Sequence, residues 1–154
     1  MSDEYLRKLL TDMLTKETAY MSFDKIIKEV PAQHRGSRIK GLAHTPWQIM
    51  EHLRIAQWDI LEFSRDPNHE SPPWPEGYWP KTDAPPSEDA WEKSVADFQA
   101  DTKQLCDLIA DKSNDLTAPF PHGDGQTLLR EAILTIQHNA YHIGQLAMIR
   151  KGFE

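Results

Sequence analysis

One cysteine, Cys106, stands in 154 residues, so no disulfide can close within the chain. That absence makes a reducing compartment the default expectation, and we expect a cytoplasmic protein. No apolar run is long enough to cross a bilayer, which argues against a membrane-spanning role. The start, MSDEYLRKLL, mixes acids and bases early and is unlike a secretory or transit signal. Positive charge is also scarce, with 17 Lys and Arg against 24 Asp and Glu and a net charge of −7. A nucleic-acid backbone is therefore not the expected partner, since that partner demands basic patches. No repeat, low-complexity tract, Gly-rich phosphate loop or Ser/His/Asp arrangement is visible, and no stretch is a strong strand candidate.

What is present is helical periodicity, clearest in Leu128 to Lys151, LLREAILTIQHNAYHIGQLAMIRK. This stretch has no proline and predicts one helix of about six turns, with Thr127 as its cap. His138 and His142 fall four residues apart, which stacks their imidazoles on one face roughly 6 Å apart at Cβ. On the helical wheel Glu131, Thr135, His138, His142 and Gln145 gather within roughly 40° of a common centre. Leu129, Ile136, Ala140, Ile143 and Ala147 lie opposite. The pattern predicts a polar pocket along the histidine face and an apolar far face packed on a neighbour or on a second subunit. A homodimer is the expectation that follows from that far face.

Three further helices are expected, all within a single domain, residues 1–154. The first runs from Asp3 to Glu29, with Leu6, Leu10, Met13, Tyr20 and Ile27 as its stripe and Arg7 outside it. Glu17 and Asp24 interrupt that stripe, and Pro31 ends the helix. The second starts at a strong signal: Thr45 as N-cap, Pro46 in the first helical position, Gln48 where a capping box needs it. Its stripe is Ile49, Leu53, Ala56, Ile60 and Phe63, with His52 on the same side and therefore inward. The third is capped by Ser87 and carries Trp91, Val95, Phe98, Leu105 and Ile109 to about Asp111. Between the second and third, Asp66 to Pro86 holds seven prolines together with Trp74, Tyr78 and Trp79. Such a stretch is neither helix nor central strand. Its aromatics should hold it against the body, and its reach, on the order of 70 Å extended, permits a crossover between parallel helices.

His52 is the residue that turns a two-histidine pair into a candidate site, because three imidazoles are what an open metal centre needs. The competing reading is a helical bundle whose histidines are ordinary surface or core residues. His34, His69 and His122 fall in loops and His44 precedes a cap, so these are poorer ligand candidates. HNAYH is not the zinc-protease motif HExxH, because Asn139 stands where that motif has its general base. Nor does the chain carry Glu-x-x-His on two helices, as di-iron bundles do.

The stretches HTPWQIMEHL and QHNAYHIGQLAMIRK resemble the DinB/YfiT-like superfamily, and the resemblance covers nearly the whole chain. It implies an all-α four-helix bundle, up-down-down-up, with the long crossover between helices two and three, often dimeric. It implies a divalent metal on His52, His138 and His142, with zinc or nickel first and iron or manganese also open. It further implies a small-molecule substrate and, in some relatives, transfer or isomerisation with a low-molecular-weight thiol in a stress or detoxification role. The alternative is a non-catalytic metal-binding stress protein. Asp59, Glu131, Tyr141 and Gln145 are candidate pocket-lining residues; Asp59 could orient an imidazole N–H. Each could equally serve packing or solvation. Trp74, Tyr78 and Trp79 form a lid over the metal or a plug in the bundle's side. Cys106 reads as a small core residue.

Overall fold

The computed structural model of the chain describes residues 2–153. It contains α1 (Asp3–Thr15), α2 (Phe23–Glu29), α3 (Pro46–Arg65), α4 (Ala90–Ala110) and α5 (Leu128–Lys151). Among the described residues no strand forms; an isolated bridge joins Pro119 and Thr127. The four long helices pack as a bundle: α3 lies on α4 and α5, α1 on the same two, and α2 on α5.

The start of α3 follows its sequence signal. Thr45 Oγ1 accepts from the Gln48 N–H (3.2 Å), and Gln48 Oε1 accepts from the Thr45 N–H (3.1 Å). The same hydroxyl donates to the Asp83 carbonyl at 2.6 Å, so the cap also ties down the crossover loop. Thr127 caps α5 by accepting from the Arg130 N–H. At α4 the expectation shifts by two residues: Asp89, not Ser87, takes the cap position, and Ser87 Oγ donates to its carboxylate (2.6 Å).

The first helix is broken, contrary to the single run expected over 3–29. An unbroken helix would carry Glu17 and Asp24 into the core, and burying unpaired carboxylates is costly. With residues 16–22 non-helical, both stay exposed, and Asp24 accepts from Gln99 Nε2 at 2.7 Å. The break also re-aims α2, which buries Ile26 and Ile27.

Arg7 is a second departure, since it is buried rather than off the stripe. Its guanidinium donates to the carbonyls of Ile109 (2.6 Å), Asp111 (2.9 Å) and Asn114 (2.7 Å), and to Asp3. Helix C-termini leave carbonyls without partners and carry negative partial charge, and a planar five-donor cation satisfies both needs. Arg7 thus fastens α1 to the end of α4.

On α5 the two faces expected to oppose one another are flanks of one buried arc. His142 and Glu131 are buried on one flank, Ile136 and Ile143 on the other, with Leu128, Ala132 and Leu146 between them. The solvent face is Ile133, Leu134, Tyr141, Gly144 and Met148. The apolar far face therefore packs inside the chain, where Ile136 and Ile143 belong to core clusters.

Those clusters are two, and a polar belt marks the change between them. One holds Leu53 of α3, Phe98 of α4 and Ile143 of α5; the other holds Leu61, Leu105 and Ile136 of the same helices. Gln57, Thr102 and Asn139 fall between these positions on each helix. Gln57 Nε2 donates to the Phe98 carbonyl (3.0 Å) and to Thr102 Oγ1, and Asn139 Nδ2 donates to Gln57 Oε1 (2.8 Å).

Candidate metal centre

His52 projects from the second turn of α3 toward α5, where His138 and His142 stack one turn apart. One ligand nitrogen from each lies within 4.8 Å of the others, a spacing that could hold one metal ion. His52 Nε2 and His138 Nε2 are 3.0 Å apart. Two nitrogens each about 2.0–2.1 Å from a tetrahedral zinc ion are roughly 3.3 Å apart, so this pair needs little adjustment.

Two of the three rings are held from behind. The Tyr78 carbonyl takes a hydrogen bond from His52 Nδ1 at 2.8 Å. A carbonyl only accepts, so the proton sits on Nδ1 and the Nε2 lone pair faces inward. Gln145 Oε1 likewise takes His142 Nδ1–H at 2.6 Å. Such outer partners fix the tautomer that a metal requires.

His138 has no such partner, but an acceptor waits beside it. The Phe98 carbonyl fixes Gln57 Nε2 as donor, so Gln57 Oε1 faces Asn139 and accepts from its Nδ2. That chain leaves Asn139 Oδ1 buried with no hydrogen bond of its own. It lies near enough to His138 to favour the protonated ring slightly, without forming a full hydrogen bond. An orphaned buried acceptor next to a candidate ligand fits a site whose remaining bond forms when the imidazole takes its metal-binding tautomer.

Electrostatics favour ligands over cations. Burial pushes His52 down from the usual 6.5 to about 4, partly offset by the bond to Tyr78. Burial and the neighbouring imidazoles of His142 and His52 push His138 down to about 4. Burial lowers His142 too, against the opposing bond from Gln145. All three are neutral near pH 7, the state a metal needs.

The crossover loop closes over this cluster. Trp79 stacks on His52 and on His44, each at 3.9 Å between centroids. His52 is left only 3% exposed. Trp74, by contrast, is 73% exposed and meets Tyr78 edge-on, so it covers nothing at the histidines.

The other expected pocket residues separate. Gln145 holds His142, and Tyr141, largely exposed, sets its ring edge-on to His142 at 4.9 Å. Asp59 does meet an imidazole, but that of His69 (2.7 Å), while its other oxygen accepts from the Tyr78 hydroxyl (2.6 Å). It bears on His52 only through Tyr78. Glu131 is buried and paired with Arg130, with no contact to the histidines. The Tyr78 main chain and the Gln57–Asn139 pair carry no sequence signal, since every residue has a carbonyl and a lone Gln has many uses.

An all-helical bundle with three inward histidines, two of them held from behind by oxygen acceptors, is a frame that could hold a metal ion. A model described as the DinB superfamily matches residues 7–146, and the chain belongs to that superfamily. No curated protein and no solved structure matches the chain.

Proposed function

We propose that His52, His138 and His142 bind one divalent metal ion and that the protein is a metal-dependent enzyme. The observation that carries this reading is the convergence of three neutral imidazoles with two Nδ1–H groups tied to oxygen. Three nitrogen ligands leave coordination positions open for water or a substrate thiol, and a bound metal lowers the pKa of such a ligand to make it a nucleophile. Zinc or nickel suits an all-imidazole set, with iron or manganese open. By resemblance to the family, the reaction is transfer of a low-molecular-weight thiol to a small electrophile in a stress role.

The chain's own residues supply the rest of this reading. Tyr78 and Gln145 orient two of the rings, and Asn139 offers a free acceptor beside the third. A groove of about 320 Å³ beside Gln145, lined by Leu42, His44, Tyr141 and Met148, suits a small apolar substrate. The exposed apolar side chains Ile133, Leu134, Tyr141 and Met148 on the solvent face of α5 are a surface that could carry a homodimer. Sedimentation at micromolar concentration tests that, and a monomer removes it. We also infer the up-down-down-up path. Glu51, Gln57 and Arg65 of α3 meet Ser94, Phe98 and Gln104 of α4 in rising order, which supports parallel neighbours. His52 and Gln57 meet His142 and Asn139 of α5 in falling order.

The cobalt-substituted protein tests the enzyme reading. Added thiols should change its visible spectrum, and no response to any thiol counts against thiol chemistry. The flat cover of Trp79 over His52 favours a second reading, a non-catalytic metal-binding protein. That reading requires a fourth protein ligand or a shell without exchangeable water, which X-ray absorption of the loaded protein distinguishes.

A further inference from the structure

The break between α1 and α2 opens a cavity of about 340 Å³, walled by residues of both segments, α4 and α5. Pockets that hold small molecules run roughly 300–1,000 Å³. Leu14, Tyr20, Phe23, Phe98, Ile136 and Ile143 make its walls largely apolar.

The cavity is distinct from the histidine cluster. None of the three histidines lines it. Ile136, Asn139 and Ile143, its lining on α5, are turned by roughly 110° on the helical wheel from His138 and His142. It spans the level at which the core changes from one cluster to the other, so Thr102 and Asn139 put polar groups halfway along an apolar wall.

The two lysines at its rim are already paired. Lys16 pairs with Asp12 (2.8 Å), Lys103 with Asp107 (2.6 Å), and Asp24 takes Gln99 (2.7 Å). An anionic ligand would find both rim lysines engaged, and Asp24 keeps its charge because Gln99 is a neutral donor. The Tyr20 and Ser22 hydroxyls, also in the lining, can hydrogen-bond to an occupant.

We propose that this cavity binds a small neutral molecule, an apolar body carrying one hydrogen-bonding group, independently of the metal centre. Cys106 lines the same space and is the chain's one cysteine, so it reports occupancy directly. Its thiol is pushed up to about 11 by burial, and it alkylates slowly enough to follow.

The probe is N-phenyl-1-naphthylamine, which is neutral and fluoresces in apolar surroundings, titrated into the 154-residue chain. It should bind at one per chain and slow the reaction of Cys106 with N-ethylmaleimide several-fold. Leu14→Trp, which fills the space, and Ser22→Trp, at its rim, should each weaken binding about tenfold or more. Circular dichroism and melting confirm that both variants fold. Met148→Asp, in the other groove, should leave probe binding and the Cys106 rate as they are in the parent. Absence of saturable binding, or binding abolished by Met148→Asp, overturns the proposal. Loss of binding on chelation places the probe at the histidines and overturns it too. Because the readouts need no metal, failure of the metal reading leaves this test intact.

Discussion

The indole of Trp79 lies flat on the imidazole of His52, with centroids 3.9 Å apart and planes 1° from parallel. The residue before it, Tyr78, gives its carbonyl to the Nδ1–H of the same ring. Two consecutive loop residues thus fix both the plane and the tautomer of a candidate ligand. The loop in turn is clamped by Asp59, which accepts from His69 and from the Tyr78 hydroxyl.

Asp59→Asn should loosen this arrangement without touching a ligand. The amide cannot accept from both partners with the strength of a carboxylate, so the loop should be cut faster by proteases between His69 and Trp79. Metal affinity should fall about tenfold through His52 alone. Limited proteolysis and calorimetric titration measure the two effects, and an unchanged affinity would separate the clamp from the site.

His52→Ala and His138→Ala should each remove most bound metal. Elemental analysis of protein purified without a polyhistidine tag is the measurement. If either variant holds as much metal as the parent, the three-histidine assignment is wrong.

Asn139→Ala tests the orphaned acceptor. It should lower metal affinity by about 10–100-fold, as loss of an outer hydrogen-bond partner does elsewhere. Nitrogen NMR of the His138 ring should show Nδ1–H in the loaded parent protein, and an Nε2-protonated ring there would contradict the role given to Asn139.

The metal-free protein should lose stability on acidification between about pH 6.5 and pH 4. His52 and His138 have folded values near 4 against 6.5 when unconstrained. Across that window the unfolded chain binds more protons than the native one, so stability falls with pH. Urea midpoints at about pH 7 and about pH 5 check the sign. Saturating metal should raise stability at both values and be released only as pH falls below about 4, where His52 and His138 take up protons.

Arg7→Met keeps the length and apolar stem but removes the donors. Three carbonyls at the end of α4 then lose a partner, and we expect a cost of about 2–4 kcal/mol in urea unfolding. A change within about 0.5 kcal/mol would mean that solvent replaces the guanidinium.

Much of this molecule was legible locally. Thr45, Pro46 and Gln48 mark the start of α3 because a capping box is complete within four residues. His138 and His142 share a face because the helix repeat requires it, and the family resemblance followed from those same stretches. Glu17 and Asp24 were visible as interruptions of a stripe, yet whether they would be buried or the helix would break depended on what the stripe met.

The sequence alone thus determined α3, α4 and α5, the stacked histidine pair and the inward side of His52, since each depends on contacts within a turn or two, whereas the break between α1 and α2 did not follow from it. Tertiary structure decided that His52 meets His138 at 3.0 Å, that Arg7 is buried, and that both flanks of α5 pack inside. It also decided that Tyr78 and Asn139, rather than Asp59, stand beside the histidines. The physical reason is common to all of these. A main-chain carbonyl is alike at every residue and an amide has several uses, so their roles are set only when distant helix faces come together.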